Sequence, residues 1–369
     1  MILERLSILN YRNIEQADLN FSHKINCFIG KNGMGKTNLL DAIYYLSFCK
    51  SYNNPIDSQN IAHQAEFSLI QGWYGKEGKE EEFFCGLRRK QKKQFKHNKK
   101  EYEKYSDHIG QVPLVMISPT DSELINGGSD ERRRFIDMVL SQFDREYLYS
   151  LIKYNKALQQ RNAILKTTQV ADPTLLELWD DQLIREGSLI YEKRKDFLER
   201  FSPTFQKFYD FVCSSNETVG LSYRSHFGEN NFAELLKQRL EKDKILGYTS
   251  VGIHKDDLEM LIDSYPIKRV GSQGQNKTYV IALKLAQFSF LRQVSLTTPI
   301  LLLDDIFDKL DASRVERIVK LVLEDDDFGQ IFITDTNREH LDSILSQTTS
   351  NYRLYEVEKG TISERQALS

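Results

Sequence analysis

The sequence predicts an α/β fold built from the two ends of the chain, with a mostly helical lobe inserted between them. Three observations lead to that reading. A β-prone run at residues 25–29 stops at a glycine-rich turn that opens an amphipathic stretch. A wholly apolar run at 300–303 ends in two acids, the pattern of a strand covered on both faces. Between these, the apolar residues recur at helical spacing over roughly residues 127–245. The chain therefore divides into 1–126, 127–245 and 246–369, the first and third parts forming one folded unit.

Taken in order, the run INCFI at 25–29 is the first strand, and Leu39, Leu40, Ile43, Tyr44 and Leu46 mark the helix after the turn. Residues 67–74 and 82–87 are β-rich. Gly127 and Gly128 break the chain, and Ser129 or Asp130 is expected to cap the helix that follows. Phe135, Met138, Val139, Leu151, Tyr154, Leu158 and Leu165 follow at helical intervals through more than one helix. Asp172-Pro173 starts another, with proline at the first helical position and a stripe of Leu176, Trp179, Leu183 and Ile190 behind it. Near 250 the α/β texture returns. Ile281, Leu285, Phe288 and Leu291 form a helical stripe, 300–303 a strand, 315–322 a helix and 331–333 a strand. The aromatic residues Phe135, Tyr147, Tyr154 and Trp179 fall on the stripes and are expected in the core.

Composition excludes several classes. The 369 residues contain no 18-residue apolar run, so no membrane span is expected. Charges run through residues 1–20, which argues against a secretory leader. Cys27, Cys49, Cys85 and Cys213 lie far apart, against a zinc site or a disulfide scaffold and in keeping with a reducing cytoplasm. A net charge of -3 means that nucleic-acid contact, if any, comes from local patches. One candidate is residues 88–100, with eight Lys and Arg among thirteen positions. It reads either as a phosphate-contact patch or as a solvated hairpin paired with the acids at 77–82. Arg132, Arg133 and Arg134 open a helix, where cations are unfavourable, so a carboxylate such as Asp130 or Glu131, or a DNA phosphate, must offset them. His254, Asp256 and Asp257 lack a partner histidine and are not expected to bind metal.

The strongest chemical signal is Gly30-Lys31-Asn32-Gly33-Met34-Gly35-Lys36-Thr37, which matches G-x-x-x-x-G-K-[ST] in the required strand–turn–helix context. Glycines let backbone N–H groups turn around an anion, and the helix N-terminus adds partial positive charge. Lys36 is expected to reach the β/γ-phosphates of ATP, and the Thr37 hydroxyl to help hold Mg²⁺. Ile300 to Leu303 delivers Asp304 to the sheet's C-terminal edge as the metal-side carboxylate, and Asp305 is placed to polarise the attacking water.

A third motif, Gly271-Ser272-Gln273-Gly274-Gln275, stands immediately before the helical stripe that leads to Asp304. A serine, a glycine and a helix N-terminus make a second phosphate-binding surface. This order of motifs resembles the ABC ATPase head. The resemblance implies that Ser272, Gln273, Gly274 and Gln275 contact the γ-phosphate of ATP bound to the opposite subunit, with Asp308 and Asp311 at the D-loop of the same interface. Within that superfamily the chain resembles the RecF family of bacterial DNA replication and repair proteins nearly end to end. Tyr11-Arg12-Asn13, Pro119 with Asp121, the stretch 128–137, Gln160 to Ala163, Trp179 to Leu183 and Val251 to Leu258 carry the likeness. Met34, Ile253 and Lys255 depart from the usual glutamine, proline and arginine, and Lys255 keeps the charge without the planar fork.

The resemblance implies a cytoplasmic, ATP-dependent DNA clamp that dimerises on ATP. It implies binding to single-stranded and gapped DNA, action with RecO and RecR to help RecA replace SSB, and support of replication and SOS induction. It also implies ATP hydrolysis stimulated by DNA. Hydrolysis is expected to be slow, because Asp305 is one methylene shorter than the glutamate usual in transporter heads. Two alternatives fit less well. An ABC transporter ATPase subunit predicts a switch histidine after the strand at 331–333, where Thr334-Asp335-Thr336 stands and the next histidine is His340. An SMC-type protein with long coiled-coil arms needs more chain than lies between Thr37 and Gly271.

Overall fold

Apolar runs bounded by glycine and acids become strands where both faces can be covered, and the chain alternates such runs with helices at each end. The computed structural model describes residues 1–166, 173–213, 216–229, 231–307, 312–324, 328–336 and 352–365. In chain order the elements begin with β1 (Ile2–Tyr11), β2 (Ile14–Asn20), β3 (Ile25–Ile29), α1 (Lys36–Phe48), β4 (Phe67–Lys76), β5 (Lys79–Arg88), β6 (Gln94–His97), β7 (Lys100–Glu101) and β8 (Leu114–Ile117). The middle holds α2 (Glu123–Asn126), α3 (Ser129–Phe143), α4 (Arg145–Leu165), α5 (Pro173–Cys213), β9 (Val219–Arg224), α6 (His226–Glu229), α7 (Phe232–Leu246), β10 (Asp257–Ile262), β11 (Tyr265–Pro266) and α8 (Ile267–Val270). Then come α9 (Gln273–Val294), β12 (Ile300–Asp304), α10 (Ala312–Glu324), β13 (Ile331–Asp335), β14 (Tyr352–Glu358) and β15 (Thr361–Arg365).

Two compact units result. The first comprises Met1–Asp121, Phe211–Cys213 and Gln287–Ser369. It holds two six-stranded sheets. One is antiparallel, in the order β2-β1-β4-β5-β6-β7. The other runs β15-β14-β3-β13-β12-β8, parallel from β14 to β8. Its central strands β12 and β13 are buried at every position, which is why they read as unbroken apolar runs. Gln330 fastens this unit: its carboxamide accepts from Leu3 N–H and donates to Leu3 C=O, both at 2.8 Å.

The second unit comprises Ser122–Asp210 and Ser214–Ala286, extending past residue 245 to take in β10, β11 and α8. It is helical apart from the three-stranded antiparallel sheet β11-β10-β9. Its longest element is α5 as far as Asp210; the whole helix has 41 residues, about 60 Å. Phe135, Tyr147 and Tyr154 are buried as the stripes require, whereas Trp179 is only half-buried. The capping expectation at α3 is corrected. Gly128 is the N-cap and no side chain caps the helix; Ser129 lies inside the first turn, where its hydroxyl accepts from Arg133.

The motifs quoted for the RecF resemblance in this unit are ion-paired to one another. Buried Arg161 on α4 donates to Asp180 on α5 at 2.6 Å and to Asp243 on α7 at 2.8 Å. Arg194 on α5 donates to Asp137 at 2.7 Å and to Asp256 at 3.0 Å. Arg132 forms a two-pronged pair with Asp257 (2.7 and 3.0 Å), Arg133 donates to the Asp256 carbonyl, and Arg134 pairs with Glu131. Carboxylates thus meet Arg132 and Arg134, and a backbone carbonyl and the Ser129 hydroxyl meet Arg133. His254 is held differently. The Thr249 carbonyl can only accept, so Nε2 carries the proton and Nδ1 accepts from the Tyr154 hydroxyl. Burial pushes this histidine down to about 4. Among the described residues, no group of three or more His, Cys, Asp or Glu is placed to hold a metal.

In the first unit, residues 88–100 lie on the β5–β6 hairpin and beyond. Glu81 pairs with His97 at 2.5 Å across these strands, the cross-strand arrangement of the hairpin reading. Two of the eight cations are built into the fold. Arg89 donates to the carbonyls of Ala65, Ser58 and Ala62, and Lys93 donates to Cys49 O and pairs with Asp57.

Candidate functional site

The glycine-rich turn joins β3 to α1, and its backbone explains its composition. Gly33 and Gly35 stand at φ 78 and 118, left-handed conformations that side chains disfavour. Gly30 is excluded from substitution by proximity, since a Cβ there would lie 2.3 Å from Val357 O on β14. The β14–β15 turn supports the loop further, with Gly360 N–H donating to Met34 O at 2.8 Å. Lys31 and Asn32 are exposed at the tip. Lys36 Nζ lies inside the loop and donates to Gly30 O at 2.6 Å and Lys31 O at 3.2 Å. Burial lowers the Lys36 pKa, while Asp305, Asp304 and Asp335 pull it up.

The Thr37 hydroxyl donates to Asp304 Oδ1 at 3.0 Å. β12 and β13 are neighbours, and β13 pairs with β3, so the strand order brings Asp304 to the start of α1. Asp304 is 3% exposed, and burial raises its pKa. Hydroxyls of Thr334 and Thr37 donate to it and favour the ionised form. Asp305 turns out of the strand at φ 50, with its N–H on Thr334 Oγ1 at 3.0 Å. A hydroxyl beside a carboxylate is a hard-oxygen donor set and suits Mg²⁺, and the Thr334 bond works against the burial that raises the carboxyl's pKa.

Sequence reasoning did not assign Thr334 to the site, although the signal was present: it follows the apolar run 331–333 as Asp304 follows 300–303. Asn13 is a second such residue. Its Oδ1 accepts from Asn38 at 2.7 Å, and a Cβ on Gly35 would lie 2.9 Å from it. The adjacent Arg12 pairs with Asp41 of α1 at 3.0 Å, and Tyr11 donates to the same carboxylate at 2.6 Å. The tripeptide 11–13 therefore braces the first turns of α1.

In the second unit, Ser272 precedes α9 and forms a reciprocal box with Gln275. Gln275 N–H donates to Ser272 Oγ at 3.2 Å, and Ser272 N–H donates to Gln275 Oε1 at 2.8 Å. Gln273 is exposed and Gly274 is half-buried at the start of the helix. Asp308 and Asp311 lie outside the described residues.

This phosphate-type loop on a parallel sheet, with a strand-end carboxylate beside it, marks a P-loop ATPase head, and the Ser272–Gln275 turn at the start of α9 makes it one of the ABC type. The family described as the RecF/RecN/SMC N terminal domain matches residues 2–363. An SMC head bound to the C-winged helix domain of ScpA is 15% identical, with a TM-score of 0.58 over 99% of this chain and 97% of that one, a likeness of fold. The particular family is narrower: the chain belongs to the RecF family. It is 60% identical over 365 residues to the DNA replication and repair protein RecF of Bacteroides thetaiotaomicron, covering 99% of each. The Phocaeicola vulgatus RecF is 59% identical over 371 residues and is covered completely. A solved structure of the recombination mediator protein RecF with ATP, in the RecFOR pathway, is 28% identical, with a TM-score of 0.88 over 98% of this chain and 99% of that one. No helix among the described residues is long and apolar enough to cross a membrane.

Proposed function

We propose that the chain is an ATP-gated DNA clamp of recombinational repair. It binds single-stranded DNA, gaps and junctions, and it acts with RecO and RecR to help load RecA. It thereby supports replication, recombination and SOS induction in the cytoplasm. The observation that carries the reading is the Thr37–Asp304–Thr334 constellation at the mouth of the glycine-rich loop, together with full-length likeness to RecF proteins. The same likeness disfavours the transporter alternative.

In this reading residues 30–37 cradle the phosphates of ATP, and Lys36 exchanges its loop carbonyls for β/γ oxygens. Thr37 and Asp304 would hold Mg²⁺, which would supply positive charge against the phosphates. Asp305 orients the attacking water. Ser272 and Gly274 reach the γ-phosphate held by a second copy of the chain, with Asp308 and Asp311 at the same contact, so that dimerisation completes the site. ATP favours the closed dimer only by its higher affinity for that state. Hydrolysis is weak, is stimulated by DNA, and releases the dimer.

The test is fluorescence anisotropy of a labelled gapped duplex at one salt concentration, with protein titrated in ATP–Mg²⁺ and then in ADP–Mg²⁺. Tight binding with ATP and weak binding with ADP is expected, and Lys36→Ala should remove the difference by abolishing ATP binding. Equal weak binding in both nucleotides would overturn the clamp.

A further inference from the structure

The reciprocal box at Ser272 has a feature that a simple helix cap lacks. A carboxamide can face a backbone N–H with either its oxygen or its nitrogen, and only the oxygen forms the bond. Here the choice is made by a third residue. Gln275 Nε2 donates to Glu217 Oε1 at 2.7 Å, and a carboxylate can only accept. The amide group is thereby turned so that Oε1 meets Ser272 N–H at 2.8 Å.

Glu217 is itself held from α5. The hydroxyl of Tyr209, a fully buried residue, donates to Glu217 Oε2 at 2.6 Å, and Gln206 Nε2 donates to the Glu217 carbonyl at 3.2 Å. Tyr209 packs edge-on against Tyr279 of α9, whose hydroxyl donates to Gly220 O at 2.8 Å. The turn at 272–275 is thus referenced through one carboxylate to the last turns of a 41-residue helix. Its oxygen accepts from Gln275 N–H, and the exposed Ser272 hydroxyl keeps its O–H proton to offer an incoming anion.

We propose that Glu217 is a positioning residue for the signature turn, acting through the Gln275 carboxamide to set the Ser272 hydroxyl and backbone for the γ-phosphate of a second copy's ATP. Gln275 is then committed to the turn's own geometry and does not touch nucleotide. The proposal rests on the in-trans reading of Ser272 and adds to it a residue outside the motif. Removing the carboxylate leaves Gln275 Nε2 without this acceptor and the carboxamide without its restraint, so Oε1 is held less firmly on Ser272 N–H. One part-buried, charge-assisted bond governs each signature, so the loss is about tenfold per signature, compounded in a dimer closed by two of them.

Glu217→Ala, Glu217→Gln and Ser272→Ala are compared with the wild type in three measurements: binding of a fluorescent ATP analogue to dilute monomer, ATP-driven dimerisation by sedimentation velocity, and ATP turnover. Glu217→Ala is expected to bind the analogue within twofold of wild type. Its half-dimerisation concentration should rise tenfold or more, and kcat should fall. Glu217→Gln, which keeps an acceptor oxygen, should recover dimerisation to within about threefold. Normal dimerisation of Glu217→Ala beside loss in Ser272→Ala would overturn the positioning role and leave the in-trans reading standing. Normal dimerisation of Ser272→Ala would overturn both. Equal loss of monomer ATP binding and dimerisation in Glu217→Ala, without recovery in Glu217→Gln, would mean that the carboxylate only supports the fold, and would overturn the proposal.

Discussion

Acidification should destabilise the second unit through His254. In the fold the ring is neutral, donating to Thr249 O at 3.0 Å and accepting from Tyr154 at 2.9 Å, and burial lowers its pKa to about 4. In the unfolded chain the ordinary histidine value of about 6.5 applies. Between those values the unfolded state binds the extra proton, so stability is full above about 6.5 and is lost as the pH falls toward 4. Applying both values at pH 5 gives a loss of about 2 kcal/mol relative to pH 7. Asp256, raised by burial, acts with the opposite sign, because its folded form takes up a proton more readily than the unfolded chain. The comparison that isolates the histidine is His254→Gln, which keeps a donor and an acceptor but does not titrate. Trp179 on α5 reports on this unit once Trp73 is replaced by phenylalanine. Urea unfolding at pH 7 and pH 5 should show the wild type losing about 2 kcal/mol more than His254→Gln. Parallel losses in the two proteins would refute the assignment of the proton to this ring.

Three further outcomes follow from the same geometry. Thr334→Val keeps shape but removes a donor to the buried Asp304 carboxylate, so unfolding reported by Trp73 should ease by about 2 kcal/mol and ATP turnover should fall; unchanged turnover would separate Thr334 from the chemistry. Asp305→Asn should lower steady-state turnover about 100-fold with ATP binding retained, as expected for loss of a water-orienting base, and an unaltered rate would exclude that role. Arg161→Met leaves Asp243 buried without its cation and should cost about 3–5 kcal/mol, read as an earlier Trp179 transition, whereas a neutral result would show that the pair contributes nothing.

The placement of the glycine-rich loop between β3 and α1, and of Asp304 beside it, was legible because the pattern is local: fixed spacing, a strand before, a helix after. Thr334 carried a signal, its place at the end of the apolar run 331–333, but its role depends on which strand lies beside β12, and strand order is not written in a short apolar run. That Arg89 and Lys93 are built into the fold was likewise hidden. A cation that satisfies carbonyls reads in sequence like one that faces water. Gly128 is the N-cap because it carries the extended backbone before the first turn, and Ser129, already helical, gives its hydroxyl oxygen to Arg133. Glu217 stands far from Gln275 in sequence and carries no motif, so only the packing of α5 and α9 could reveal it.

The joint between Gln330 and Leu3 has a consequence for how the protein is made. The two residues are 327 positions apart, and β3 meets its parallel neighbours β13 and β14 only when that distant chain has emerged. At ordinary rates of synthesis roughly 300 residues take about 15–60 s. Throughout that interval the apolar residues of β3 have been translated but lack their sheet partners. A nascent chain of this protein therefore spends most of its synthesis with an unpaired central strand, and it should engage chaperones at its beginning long after that beginning has left the ribosome.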